Sequence, residues 1–197
     1  MNILHIDSAS TGAESVSRAL TARIVEKLKA GNPGADVVYR DLGTEPLAHL
    51  NPVLTGAIRF PEEDQTADMK AIAGVERKVL DEFLDADVVV IGAPMYNFTI
   101  PSSLKSWIDR LGIPRVTFQY GPNGPEGLAG NRRVIIASAA GGSYQPGEAP
   151  LTYHEGLLEA FFGFIGVTDI SFIRGHGVGA KGPDKAIAAA EEQIAAL

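Results

Sequence analysis

The segment from Val88 to Ile108, VVVIGAPMYNFTIPSSLKSWI, constrains the chain more than any other. Four branched apolar residues, Val88 to Ile91, run without alternation into Gly92, Ala93 and Pro94. A strand that is apolar at every position has no solvent face, which places it in the middle of a parallel sheet. Met95 to Phe98 follow as a loop with one amide at its tip. Beyond Pro101, Leu104, Trp107, Ile108 and Leu111 fall on one helical face. The loop at the carboxyl end of such a strand is where open α/β sheets bind ligands.

The same alternation extends in both directions. Asn2 to Asp7 reads as a first strand, followed by a turn rich in small and hydroxyl residues from Ser8 to Ser17. Leu20, Ile24 and Leu28 mark a helix, closed by Gly31-Asn32-Pro33-Gly34, and Ala35 to Asp41 is a second strand. Residues 42–65 carry Pro46, Pro52 and Pro61 and read as irregular around a short helix at Val53–Ile58. Met69, Ile72, Val79, Leu80 and Phe83 predict a helix across 65–84. Gly112 to Gly130 reads as a long structureless loop, Arg132 to Ser138 as a fourth strand, and Leu157 to Ile165 as an apolar helix. Asp169 to Ile173 gives a fifth strand and Ile187, Ala190, Ile194 and Leu197 a closing helix. The expectation is one doubly wound domain, 1–197, with five parallel strands in the flavodoxin-like order 2-1-3-4-5 and helices on both faces. Its crevice lies between the ends of strands one and three.

Several chemistries are excluded early. The chain has no cysteine, which removes disulfides, thiolate nucleophiles and thiolate metal sites. A net charge of -7 argues against nucleic acid or an anionic membrane as partner. No apolar run approaches the ~20 residues of a membrane span, and MNILHIDSAS lacks the form of a signal peptide, so a cytoplasmic location is expected. His5, His49, His154 and His176 match no metal-ligand spacing. There is no G-x-S-x-G elbow, P-loop or G-x-G-x-x-G. A phosphorelay receiver needs an Asp where this chain has Gly92-Ala93-Pro94.

The two loops at the crevice carry the candidate site. Ser10, Ser15 and Ser17, with Val16 between, sit where the first helix begins. A helix N-terminus presents unpaired N–H groups suited to a monophosphate, and Arg18 could add charge; alternatively one Ser is a plain N-cap. Met95, Tyr96, Asn97 and Phe98 either pack as an ordinary turn or hold a flat aromatic ring, with the Asn97 amide matching its polar edge. Gly141-Gly142 is either a tight turn or a place where backbone approaches such a ring. Phe118, Tyr120, Phe161 and Phe162 read as core, or as walls of a pocket for flat substrates, and Arg59 as a surface charge or part of that pocket.

The block APMYNFTIPSSLKSWID, with FxYGPNGPEGL and FFGFIGV after it and SxSR and GAIR before it, resembles the FMN-dependent NADH azoreductases, which also act as NADH:quinone oxidoreductases. The resemblance runs almost end to end. It implies a homodimer with one FMN per subunit, active sites at the subunit interface, NADH as donor, and ping-pong two-electron reduction of quinones and azo compounds. It further implies that Ser15, Val16 and Ser17 hold the FMN phosphate and ribityl chain and that Met95, Tyr96, Asn97 and Phe98 hold the isoalloxazine. Ser138, Ala139, Ala140, Gly141 and Gly142 would meet the ring's polar edge, and Arg59, Tyr120 and Phe161 or Phe162 would shape the substrate pocket. Three departures stand out. Ala9 occupies the position of a phosphate-contacting Ser, so either Ser10 replaces it or that bond is lost. The Arg of an S-R-G-G loop is missing from Ser138–Gly142, and His176 stands where Glu is common. Two further function classes remain open: a flavodoxin-like electron carrier that oxidises no NAD(P)H, and a cofactor-free interaction domain.

Overall fold

A computed structural model describes residues 1–197. Five strands form one parallel sheet: β1 (Asn2–Asp7), β2 (Asp36–Asp41), β3 (Val88–Pro94), β6 (Arg133–Ala140) and β7 (Asp169–His176). They lie in the order β2-β1-β3-β6-β7, the expected 2-1-3-4-5. Every residue of β3 is buried, and its alternation shows why the apolar run has no gaps. Val88 and Val90 join a cluster beneath α1 (Val16–Gly31) and α7 (Pro183–Ala195). Val89 and Ile91 join the larger cluster beneath α3 (Ala67–Leu84), α4 (Ser102–Ile108) and α5 (Ala149–Phe164). Helices therefore cover both faces, as a buried parallel sheet requires. β2 and β7 are the edge strands, and on β2 Val38 and Tyr39 are exposed.

The short helix expected near 53–58 is α2 (Pro52–Arg59). It starts with Asn51, whose side chain accepts the Leu54 N–H, and with Pro52 in the first turn. The expectation for Gly112–Gly130 is overturned. The segment contains an antiparallel hairpin, β4 (Phe118–Gly121) with β5 (Gly124–Gly127). The hairpin is held against the end of α5: Phe118 packs on Phe164, ring centroids 4.6 Å apart. At Gly127 an added Cβ would lie 2.1 Å from the Gly166 nitrogen, so only glycine allows this approach. α5 begins earlier than the aromatic stripe, at Ala149, because Pro150 suits a first helical turn. β6 and β7 run past their expected ends, pairing Ala139 with Gly175 and Ala140 with His176. α6 (Val178–Lys181) is a single short turn after β7. No helix is long and apolar enough to cross a membrane.

Candidate active site

The carboxyl ends of β1, β3, β6 and β7 meet around a cavity of about 400 Å³. Its walls are assembled from four successive loops. At the head of α1, Ser15 is the N-cap and its hydroxyl accepts the Arg18 N–H at 3.4 Å. Ser17 is fully buried, its hydroxyl 3.0 Å from that of Ser15. The backbone N–H groups of Val16 and Ser17 have no acceptor within the chain, although both residues are buried. Buried orphan donors are rare, and at a helix N-terminus they form a ready place for an anion.

The loop after β3 is a tight turn. Tyr96 N–H donates to Thr99 O at 2.8 Å and Thr99 N–H to Tyr96 O at 3.1 Å. Between them Asn97 (φ 49°) and Phe98 (φ 71°) both lie in the left-handed region. Asn tolerates that conformation; for Phe it is strained, and such strain collects at functional sites. The turn is pinned on two sides. Met95 N–H donates to Ala139 O at 2.7 Å, and the Tyr96 hydroxyl accepts the Ser10 N–H at 3.0 Å while touching the Ser10 hydroxyl at 3.0 Å.

The loops after β6 and β7 form the third side. Gly177 N–H donates to both Ala140 O (3.0 Å) and Gly142 O (2.8 Å), and Gly179 N–H to Gly141 O (3.0 Å). Beneath them Ser138 is buried and bonded to His176 Nε2 at 3.0 Å. Glu155 takes a two-pronged bond from Arg174 and lies 3.8 Å from His176. Burial pushes the His176 imidazole below its usual range, against the pull of Glu155.

The cavity gathers Ser15, Val16, Met95, Tyr96, Ala139, Ala140 and Gly141 from the expected set. Ser10 instead braces Tyr96, Ser17 and Ser138 lie beneath the wall, and Gly142, Asn97 and Phe98 are outside it; Phe98 is 59% exposed. Thr11, Glu14 and Pro94, within the two loops expected at the crevice, also line it, as do Val178 and Gly179, which sequence reading missed. The rule that ligands meet the loops after several strands could have found Val178 and Gly179.

Two expectations need correction. Arg18 does not face the cavity: its guanidinium turns to Asp41 at 2.8 and 2.5 Å, which lowers the Asp41 carboxyl to about 2. Phe162 is not a pocket wall but core, fully buried against Phe83 and Phe161, because it shares a helical face with Leu158 and Ile165. Phe161 is half-buried against the same core, Tyr120 stands 77% exposed on the hairpin, and Arg59 lines a separate cavity of about 320 Å³ with Glu76 and Arg110. One subunit therefore does not assemble these four residues into a single pocket. A further cavity, about 460 Å³, opens at the amino end of the sheet beside Asp36, Asp81, Glu82 and Asp85, remote from the strand-end loops. No group of His, Asp and Glu is arranged to hold a metal ion.

The comparisons agree with this geometry. The family model described as "Flavodoxin-like fold" matches residues 1–197. An FMN-dependent NADH:quinone oxidoreductase of Bradyrhizobium sp. is 49% identical, covering 100% of this chain and 99% of its own length. One of Sinorhizobium fredii is 51% identical, covering 99% and 96%. Among solved structures, an azoreductase from Bacillus anthracis superposes with a TM-score of 0.88 at 30% identity, covering 100% of this chain and 97% of that one. The chain belongs to the flavodoxin-like family that includes the FMN-dependent NADH:quinone oxidoreductases.

Proposed function

We propose that this protein is an FMN-dependent enzyme that uses NADH to reduce quinones by two electrons and to cleave aromatic azo compounds. The carrying observation is that the α1 N-terminus at Ser15 and Val16, with its orphan N–H groups, and the Met95–Tyr96 side of the strained turn meet at one cavity. The residues fit FMN. The α1 N-terminus suits its phosphate, with Ser15 and Ser17 as neutral hydroxyls beside it. Val16, Pro94, Met95 and Val178 offer apolar walls to a flat ring, and Gly141 and Gly179 let backbone come close. FMN supplies the electron-transfer chemistry, and the chain positions it. No side chain serves as nucleophile. Donor and acceptor use the same face of the ring in turn, which is a ping-pong scheme.

The same reading includes a homodimer. Phe98 and Tyr153 are exposed on neighbouring elements tied together by the Thr99 hydroxyl, which donates to Tyr153 O at 3.0 Å. A second copy would cover this apolar mouth and close the site, and it gives Arg59 and Tyr120, remote from the cavity of their own subunit, a place at the other one. Use of NADH as donor places the enzyme of this reading in the cytoplasm, and a net charge of -7 disfavours nucleic acid or an anionic membrane as partner.

The visible spectrum of the purified protein tests this reading. Flavin absorbance should be present or appear on adding FMN, bleach with NADH in the absence of air, and return when a quinone is added. A yellow protein that NADH leaves unchanged would be an electron carrier instead. A colourless protein that takes up no FMN would defeat both readings.

A further inference from the structure

We infer that Arg18 is a positioning residue for the cofactor's phosphate, acting from behind the loop that follows β1. The inference rests on the reading of the cavity as an FMN site. Three segments meet at this one guanidinium. Nη2 donates to Ala9 O at 2.9 Å, in the loop itself. Nη1 and Nη2 grip the Asp41 carboxylate at the end of β2, and Asp41 Oδ1 in turn accepts the N–H groups of Gly43 (2.9 Å) and Thr44 (3.2 Å). Nη1 also donates to the Tyr39 hydroxyl at 3.2 Å, which itself donates to Asp7 at 3.0 Å. Arg18 is the third residue of α1, so the helix that presents the Val16 and Ser17 N–H groups carries the clamp as well.

The clamp is tight where it meets the loop. A Cβ on Gly43 would lie 2.3 Å from Ala9 O and 2.7 Å from Arg18 Nη2. Ala9 is 1% exposed, and the next residue, Ser10, is fastened on the cavity side to Tyr96. The loop is thus held at its back by Arg18 and at its front by Tyr96. Ala9 takes no part through its methyl side chain; its carbonyl does the anchoring.

Charge points the same way. Asp7 and Asp41 both lie behind the phosphate end of the cavity, and Arg18 faces both: Asp41 by direct bonds and Asp7 at 3.6 Å. His5 adds a contact to Asp7 at 3.5 Å. Without the guanidinium, two carboxylates would oppose a bound dianion in a poorly screened place.

Riboflavin carries the same ring and ribityl chain without the phosphate, so the ratio of FMN to riboflavin affinity isolates the phosphate end. The full chain, stripped of flavin, is titrated with each ligand while flavin fluorescence is followed. In Arg18→Gln, FMN affinity should fall about tenfold or more, with riboflavin affinity little changed. Gly43→Ala displaces Ala9 O while keeping every charge, and it should lower the same ratio in the same direction; it decides the question if Arg18→Gln does not fold. Equal losses for both flavins, or no loss for either, would overturn the inference while leaving the FMN reading intact. A wild-type chain that binds neither flavin would overturn the FMN reading itself, and this inference with it.

Discussion

His154 lies on α5 with no exposed surface, and neither ring nitrogen has a hydrogen-bond partner. The backbone of Ala93 and Pro94, at the end of β3, and the side chains of Glu155 and His176 are its polar surroundings. Burial takes its imidazole down to about 4 from an ordinary 6.5, although Glu155 pulls the other way. The folded chain therefore keeps His154 neutral where the unfolded chain already binds a proton. Stability contributed at pH 7 should be lost as the pH falls from 6.5 towards 4, by on the order of 3 kcal/mol. Urea unfolding at pH 7 and pH 5 should show about 2 kcal/mol of this loss, the rest falling below pH 5, and His154→Leu should remove much of it. At this scale the sequence was informative where residues are contiguous: Ser15 with Val16 and Met95 with Tyr96 do meet at one cavity. It was silent on direction. Arg18 turns away from the cavity because Asp41, on another strand, offers a carboxylate, and no local pattern announces that pairing.

Elements were legible in proportion to the length and regularity of their apolar patterns. β3 could be placed from sequence because its apolar run has no gap, and α3 because Met69, Ile72, Val79, Leu80 and Phe83 keep helical spacing, although only the last three are buried. The β4–β5 hairpin could not, since its strands are four residues each and contain Gly121, Gly124, Pro125 and Gly127. Its stability comes from docking on α5 rather than from propensity. Phe118 supplies the packing, and the contact of Gly127 with Gly166 permits the approach. Gly127→Ala should force the two backbones apart, cost about 1–3 kcal/mol, and speed amide hydrogen exchange across 118–127. Protection in β1, β3 and β6 should be unchanged, because their ladders do not depend on the hairpin.

For the whole molecule, the strand order followed from the alternation of strands and helices together with the count of five strands, which favours 2-1-3-4-5 over the dinucleotide-binding order. Assembly did not: an exposed Phe98, Tyr120 or Tyr153 reads in sequence like any core aromatic. The dimer reading predicts that Tyr153→Glu, which places a charge on the proposed interface, yields a folded monomer in sedimentation velocity. Its NADH-dependent quinone reduction should fall about tenfold or more, in keeping with the loss of a central interface contact. The stitching of Gly177 and Gly179 to the loop after β6 has a consequence for synthesis. The cavity draws on residues from Thr11 to Gly179, and its wall is complete only when β7 has joined β6. A ribosome-bound chain that has emerged only as far as β6 has the α1 N-terminus and the strained turn but lacks the Val178–Gly179 side of the cavity. Cofactor loading must therefore wait until the fifth strand is in place, and a cofactor added during translation would stabilise finished domains without speeding the earlier steps of folding.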